Sequence, residues 1–266
     1  MSENQQTGLR FGRQAAQYNQ VSLIQKRLAG LLWRQLQPWL RLPLGRVLEI
    51  GAGTGHLSSL LAEAHPAELH LLDLSEVMLE QANQRLNQAF PDLSVSLHAA
   101  DVEEWEEPSF RPVDLTASSA AIQWLRDRMG FLRKIEHCSR PGALVALGTF
   151  GPRTLLELHD AYRLSTGHDL QPGTRMVAYG VLAQELENTG FQVLDRGMIL
   201  HQELHASPRD FLRSLKSMGV TGGNASPGMT REQWRRLDTY LRSCASTPQD
   251  QIRATWELVW VIARKK

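Results

Sequence analysis

The 266 residues carry 42% apolar and 21% charged side chains, the balance of a globular protein with a full core. A net charge of +1 gives no global electrostatic case for a nucleic acid or membrane partner, so any charged site must be local. The two cysteines, Cys138 and Cys244, lie far apart and outside any CxxC pattern, which excludes a disulfide framework or cysteine zinc site and suits a reducing compartment.

The polar start Met1 to Gln6 has no signal-peptide core, and no run approaches the roughly 18 apolar residues of a membrane span. A cytoplasmic address is expected. In chain order, Leu23 to Leu40 places Leu28, Leu31, Leu32, Leu36 and Leu40 at three- and four-residue intervals, which predicts an amphipathic helix. Arg46 to Ile50 is a short apolar run ending at glycines, so a buried strand, and His56 to Ala64 reads as helix. Leu69 to Leu72 is a second strand, followed by a helix from Ser75 to Ala89 that Pro91 terminates. Val95 to His98, Val113 to Ser118 and Ala143 to Phe150 read as strands, with a helix from Asp127 to Cys138 between the last two.

Strands alternating with helices in this way predict an α/β fold with a doubly wound, mostly parallel sheet. Beyond Phe150 the order changes. Helices Thr154 to Leu164 and Val177 to Glu187 precede a strand from Phe191 to Leu200. Helices Pro208 to Met218 and Thr230 to Cys244 follow, and Thr255 to Ala263 returns as the seventh strand. The late helices are an insertion placed to cover the ligand edge of the sheet. The chain divides accordingly into an N-terminal helical lid segment (1–40), an α/β core (41–200), an inserted helical lid (201–250) and a final core strand (251–266).

Glu49-Ile50-Gly51-Ala52-Gly53-Thr54-Gly55 joins the first strand to the first helix of the core, where open α/β sheets bind ligands. Glycine is needed there because a β-carbon would block a ligand and because tight turns require positive φ. Asp73 ends the second strand, 22 positions beyond Gly51, and an acid at that separation accepts hydrogen bonds from ribose hydroxyls. A dinucleotide site expects GxGxxG facing a pyrophosphate. The GxGxG spacing here, with Glu49 before it, instead suits S-adenosyl-L-methionine, which has no phosphate and carries an ammonium. Asp101 is placed to accept from an adenine amine and Val102 to pack on the ring; taken alone, Asp101 reads equally as a turn cap. Leu74, Met78 and Ser118 complete the expected cofactor contacts with Glu49, Gly51, Ala52, Gly53, Gly55, Asp73, Asp101 and Val102.

His201 and His205 in HQELH do not form a metal pair, because the segment reads as strand, where four residues span roughly 13 Å. No metal is expected. Arg209, Arg213 and Lys216 recur at i, i+4 and i+7 on a helix whose other face carries Phe211, Leu212, Leu215 and Met218. Such a stripe reads as a solvated face, and it also suits an anionic substrate approaching a lid.

Five segments carry a narrower likeness: Phe11-Gly12-Arg13-Gln14-Ala15-Ala16-Gln17-Tyr18, Ala120-Ala121-Ile122-Gln123-Trp124, Arg213-Ser214-Leu215-Lys216-Ser217-Met218-Gly219-Val220-Thr221-Gly222, Met229-Thr230-Arg231-Glu232 and Val261-Ile262-Ala263-Arg264. With these the chain resembles the malonyl-acyl-carrier-protein O-methyltransferases of biotin synthesis over nearly its whole length. It departs at Ser119, where that family often has Asn, and at Ala120, where Leu is usual, which touches the shape of the acceptor pocket more than the reaction.

The resemblance implies a Rossmann-like class I methyltransferase with a helical lid. Its cofactor would be S-adenosyl-L-methionine, its coproduct S-adenosyl-L-homocysteine and its partner malonyl-acyl carrier protein, with a monomeric state. Transfer to the free malonyl carboxylate requires no general base, because that group is already ionised at pH 7. Arg213 and Lys216 are the candidates to compensate the buried charge, and Tyr18, Gln123 and Trp124 to wall the pocket. Other readings are methylation of another small acid or a quinone-type ring, a non-catalytic adenosylmethionine-binding module, or a nicotinamide oxidoreductase.

Overall fold

A computed structural model describes residues 23–105, 112–170, 175–217, 229–243 and 251–266. Seven strands form one sheet in the order β3-β2-β1-β4-β5-β7-β6, with β1 (Arg46–Ile50), β2 (Glu68–Asp73), β3 (Val95–Ala99), β4 (Val113–Ser119), β5 (Ser139–Phe150), β6 (Phe191–His205) and β7 (Ile252–Lys265). Only β7 runs against the others. The central strands are buried along nearly their whole length because helices cover them on both sides.

The helices are α1 (Leu23–Leu36), α2 (His56–Ala62), α3 (Glu76–Ala89), α4 (Arg128–Cys138), α5 (Leu156–Thr166), α6 (Tyr179–Asn188), α7 (Pro208–Ser217) and α8 (Arg231–Ser243). Leu32 and Leu36 of α1, Leu61 of α2 and Leu79 and Leu86 of α3 pack with Val47, Leu69 and Leu115 in one core. Phe131 and Ile135 of α4 and Leu182 and Leu186 of α6 pack with Leu48, Leu72 and Val145 in another. Each such buried Leu or Phe stabilises the fold by about 1.5–3 kcal/mol through removal from water. Two wound faces result.

A third core lies at one end of the sheet. There Phe211 and Leu215 of α7 and Leu237 and Leu241 of α8 meet Ile24 and Leu28 of α1, Leu158 of α5, and Phe150 and Trp256 of the sheet. The strand register explains its position. Phe150, the last residue of β5, pairs with Leu258, yet β7 begins at Ile252, opposite His205 at the end of β6. The β6–β7 ribbon therefore overshoots the carboxyl end of β5, and α7 and α8 rise from that overshoot, at the end of the sheet where β1 meets its glycine turn.

Most boundaries move by a few residues from the sequence reading, β5 and β7 lengthening to Ser139–Phe150 and Ile252–Lys265, and three differences bear on the site. Strand β6 continues to His205 rather than Leu200, because Leu200–His205 finds a partner in Ile252–Glu257. Helix α5 begins at Leu156 rather than Thr154, because Thr154 is spent in a turn, its Oγ1 accepting from the Glu257 amide at 3.2 Å. The expected 1–40 lid segment divides as well. Ala29, Leu32, Trp33 and Leu36 place α1 in the layer against the sheet, while Ile24, Leu28 and Leu31 join the end core. Residues 1–22, with Tyr18 and the Phe11 segment, lie outside the described residues, as do Met218 to Gly222 and Cys244.

Candidate functional site

The turn after β1 is built from the backbone. Gly51, Gly53 and Gly55 adopt φ of +70°, +53° and +83°, a region where a β-carbon costs about 1–2 kcal/mol. Their surroundings differ. A β-carbon on Gly51 would lie 2.2 Å from Ala121 Cβ and one on Gly55 3.0 Å from Ala82, while one on Gly53 would meet open space. The amides of Gly51 and Ala52 donate to the Leu72 carbonyl at 2.7 and 3.2 Å, which pins the turn to the end of β2.

Asp73 completes that end. Its Oδ2 accepts from the Gly53 amide at 2.8 Å and its Oδ1 from the Ser75 amide at 2.9 Å. Burial raises its carboxyl above the ordinary range, against these backbone donors. Each oxygen keeps a second lone pair for an incoming hydroxyl. Ser75 then caps α3, accepting from the Met78 amide at 3.4 Å; Met78 is buried and Leu74 exposed beside it.

Glu49 is 1% exposed, and burial pushes its carboxyl up to about 8 against hydrogen bonding from Ser58 of α2, with Asp73 adding to the rise. Its Oε2 is buried and makes no hydrogen bond among the described residues; the same holds for the hydroxyls of Ser118 and Ser119 at the end of β4. Buried polar atoms are paired in nearly every fold, so unpaired ones at the carboxyl ends of β1 and β4 call for a partner. A ligand with an ammonium and hydroxyls would supply one, and the glycine turn leaves it room. The residues present therefore fit an adenosylmethionine-type donor.

Asp101 turns the chain after β3, Oδ1 accepting from the Glu103 amide at 2.9 Å. Val102 is buried with Leu72 and Ile122. Lys134 of α4 fixes this loop, its Nζ donating to the carbonyls of Val102, Glu103 and Trp105 at 3.1, 2.6 and 3.0 Å.

The turn after β4 faces the glycines. Ala120 sits at φ +57°, an uncommon conformation for a residue with a β-carbon, and its amide donates to Gly148 at 2.9 Å. Gln123, expected on the pocket wall, is 4% exposed and has both ends of its amide engaged inside the fold. Nε2 donates to the Ala120 carbonyl at 2.7 Å, and Oε1 accepts from Thr149 at 3.0 Å. It holds the strained turn instead of facing a ligand. Trp124 is half-buried in the short 3-10 turn Ile122–Trp124.

The basic residues of α7 are placed differently. Arg213 is 77% exposed, pairs with Asp210 at 3.2 Å, and makes no hydrogen bond to the glycine turn among the described residues. Lys216 lies one turn further along α7. His201 and His205 both lie in β6, and the described residues hold no cluster of three His, Cys, Asp or Glu arranged to bind a metal. No described helix is long and apolar enough to cross a membrane.

One residue carried no signal in the sequence. His56 opens α2 beside Gly55, with Thr54 Oγ1 3.5 Å from Nε2 and Arg85 Nη1 3.3 Å from Nδ1. Burial, then Arg85 and Lys26, lower its pKa to about 4, so it is neutral at pH 7.

The methyltransferase-domain family matches residues 47–142, the stretch from β1 through α4. A malonyl-[acyl-carrier protein] O-methyltransferase of Halorhodospira halophila is 30% identical over 268 residues, covering 94% of this chain and 84% of that protein. The chain belongs to the malonyl-[acyl-carrier protein] O-methyltransferase family. A member from Paenibacillus sp. is 34% identical over 189 residues, 68% of each chain. Because the first of these alignments covers nearly the whole chain, family membership extends to the lid. Solved structures agree on the fold. Magnesium protoporphyrin IX methyltransferase from Synechocystis PCC 6803, with bound SAH, superposes with a TM-score of 0.57 at 14% identity, covering 91% of this chain and 83% of that one. A Haemonchus contortus phosphoethanolamine N-methyltransferase gives 0.53 at 20%, covering 89% and 52%. The sheet is thus the Rossmann-like one of class I methyltransferases.

Proposed function

We propose that the chain is an S-adenosyl-L-methionine-dependent O-methyltransferase that esterifies the free carboxylate of a malonyl thioester on acyl carrier protein, an early step of biotin synthesis. The observation that carries this is the 30% identity to a protein of that name across 94% of the chain, lid included. The donor pocket supports it independently: a glycine turn at positive φ, a strand-end acid and a buried unpaired carboxylate oxygen stand together.

Bound S-adenosyl-L-methionine supplies a methyl group on a sulfonium, electrophilic without further activation. The chain's own residues then bind, orient and exclude water. Asp73 takes the ribose side, Glu49 stands as counter-charge to the amino-acid end, and Gly51, Ala52, Gly53 and Gly55 let the ligand approach the backbone. Leu74, Met78, Asp101, Val102 and Ser118 line the remainder. No residue is needed as a base, since a carboxylate is ionised at pH 7. Holding donor and acceptor in line contributes on the order of 7–11 kcal/mol. Tyr18 and Trp124 wall the acceptor side, Gln123 positions the turn that shapes it, and Arg213 and Lys216 supply positive charge for an anionic acceptor. The protein acts as a monomer.

The test is methyl transfer from labelled donor to malonyl carrier protein, with malonyl-CoA and free dicarboxylic acids alongside. Label should enter the malonyl thioester as a base-labile ester. Label entering only free acids would move the chain to another acceptor class.

A further inference from the structure

The α7–α8 pair presents a basic surface. Helices α7 and α8 hold seven of the 29 Lys and Arg residues against three of the 28 Asp and Glu. The rest of the chain is net acidic. Between the two helices runs a cleft of about 740 Å³, whose walls include Arg209, Arg213, Arg235 and Arg242 around Trp234 and Leu212, with Asp238 as the one acid. Trp234 is 46% exposed, the only tryptophan among the large apolar side chains left in solvent in the described residues.

Local pairs do not neutralise this face. Arg213 pairs with Asp210, Arg235 with Glu232 and Arg242 with Asp238, all on their own helices and all well exposed. Exposed pairs of this kind contribute little and exchange readily for a better partner. An exposed aromatic ringed by arginines is the composition of a protein docking patch: tryptophan and arginine dominate interface energies, and a rim of one sign steers a partner of the other. The patch is also fixed to the reaction end of the molecule. Leu212, Phe211 and Leu237 tie its floor to the third core, where Ala120 of the acceptor-side turn packs.

We infer that the α7–α8 cleft is the docking surface for an acidic protein, the carrier that delivers the malonyl thioester. This rests on the function proposed above. The opposite charge of the two surfaces raises the rate of encounter, Trp234 anchors the complex, and the thioester arm is left free to enter under the lid.

The test separates docking from chemistry. Binding of fluorescently labelled holo-carrier protein, without malonate, is measured beside transfer to malonyl-carrier and to malonyl-pantetheine, which lacks the protein. In Arg235→Glu/Arg242→Glu, carrier affinity should fall about tenfold or more and the carrier KM rise in parallel, with turnover of malonyl-pantetheine and donor affinity unchanged. Trp234→Ala should lose affinity severalfold with the salt dependence kept. Arg236→Glu, the same charge change on α8 but outside the cleft wall, should stay within about twofold. If the double reversal perturbs folding, Arg235→Gln/Arg242→Gln should show the same pattern at smaller amplitude.

Equal carrier affinity in wild type and the double variant overturns the inference, as does an equal loss in Arg236→Glu. Competition by an oligonucleotide as effective as that by unlabelled carrier also overturns it, because the face would then bind any polyanion. Cleft-dependent carrier binding without transfer to either thioester would instead sink the proposed activity and leave the docking surface standing.

Discussion

The glycine turn proposed to hold the donor and the α7–α8 pair proposed as a lid sit at the same end of the sheet and are made in opposite ways. Around Gly51 the determinants are backbone: three left-handed glycines, amides on the Leu72 carbonyl, and Asp73 bridging Gly53 to Ser75. Its charged groups are few, and burial raises the proton affinities of Glu49 and Asp73. On α7 and α8 the determinants are side chains, with an apolar floor of Phe211, Leu215, Leu237 and Leu241 beneath an outer face of exposed arginines. The difference follows from the ligands. A small donor of fixed shape is held by geometry that is complete before it arrives. On the docking proposed above, a carrier protein with a large, charged surface would be met by matching charge, with the buried floor holding that face in place.

Breaking the lid floor should produce the largest effect. Phe211 is fully buried and packs at a tilt against His205, ring centroids 5.2 Å apart. Phe211→Ala should cost about 3–5 kcal/mol of local packing. If the regions are independent, the loss appears as increased proteolysis of residues 208–243 and collapse of acceptor turnover, with donor affinity near wild type by calorimetry. A parallel loss of donor affinity would show that the lid floor helps to build the donor pocket.

Next comes the glycine turn. Gly51→Ala must relieve a 2.2 Å contact with Ala121 in addition to its φ of +70°, whereas Gly53→Ala faces only its φ of +53°. Donor affinity should fall about 100-fold or more in the first, and about fivefold to 30-fold in the second, corresponding to roughly 1–2 kcal/mol. Equal effects would mean that conformation, and not the close approach of the β4 turn, makes Gly51 necessary.

The same contrast accounts for what was legible in the sequence. Glycines at positive φ and an acid at a strand end leave chemical signatures, so the turn and Asp73 could be placed from spacing alone. Ala120 adopts a conformation that alanine does not advertise, and the Gln123 amide that holds it looked like a free polar group on a pocket wall. His56 meets Arg85 across 29 positions, a pairing no local pattern encodes. Helix α1 was periodic enough to be found, but periodicity names a buried face without saying what covers it, so a sheet-packed helix read as lid. The basic stripe on α7 was visible, while the arginines that α8 adds across the cleft required the fold.

Asp73 offers a smaller test within the donor pocket. Asp73→Asn keeps size but removes the charge and one acceptor, so only one of its hydrogen bonds to the Gly53 and Ser75 amides can survive and neither is charge-assisted. With charged hydrogen bonds contributing about 1.5–3 kcal/mol, donor affinity should fall about tenfold to 100-fold. Carrier binding should be unmoved. A change in carrier affinity would break the separation between the two regions.

The smallest effect is a single proton at Glu49. Its carboxyl titrates near 8 in the folded protein without donor, because burial penalises the ionised form, against an ordinary value of 4.5. At pH 7 the group is therefore mostly protonated. In the unfolded chain it has already lost that proton, so burying it costs stability progressively as pH rises from 4.5 to 8 and by a constant amount above. An ammonium placed beside Oε2 reverses the preference and drives the proton off. Donor binding should consequently release close to one proton at pH 7, and affinity should rise with pH by up to about tenfold per unit before levelling above 8. Calorimetry in two buffers of different ionisation enthalpy counts that proton, and Glu49→Gln should abolish the count while flattening the stability curve between 4.5 and 8. If the wild type releases no proton, Glu49 is not the counter-charge to the donor, and its unpaired oxygen must be met by something else in the pocket.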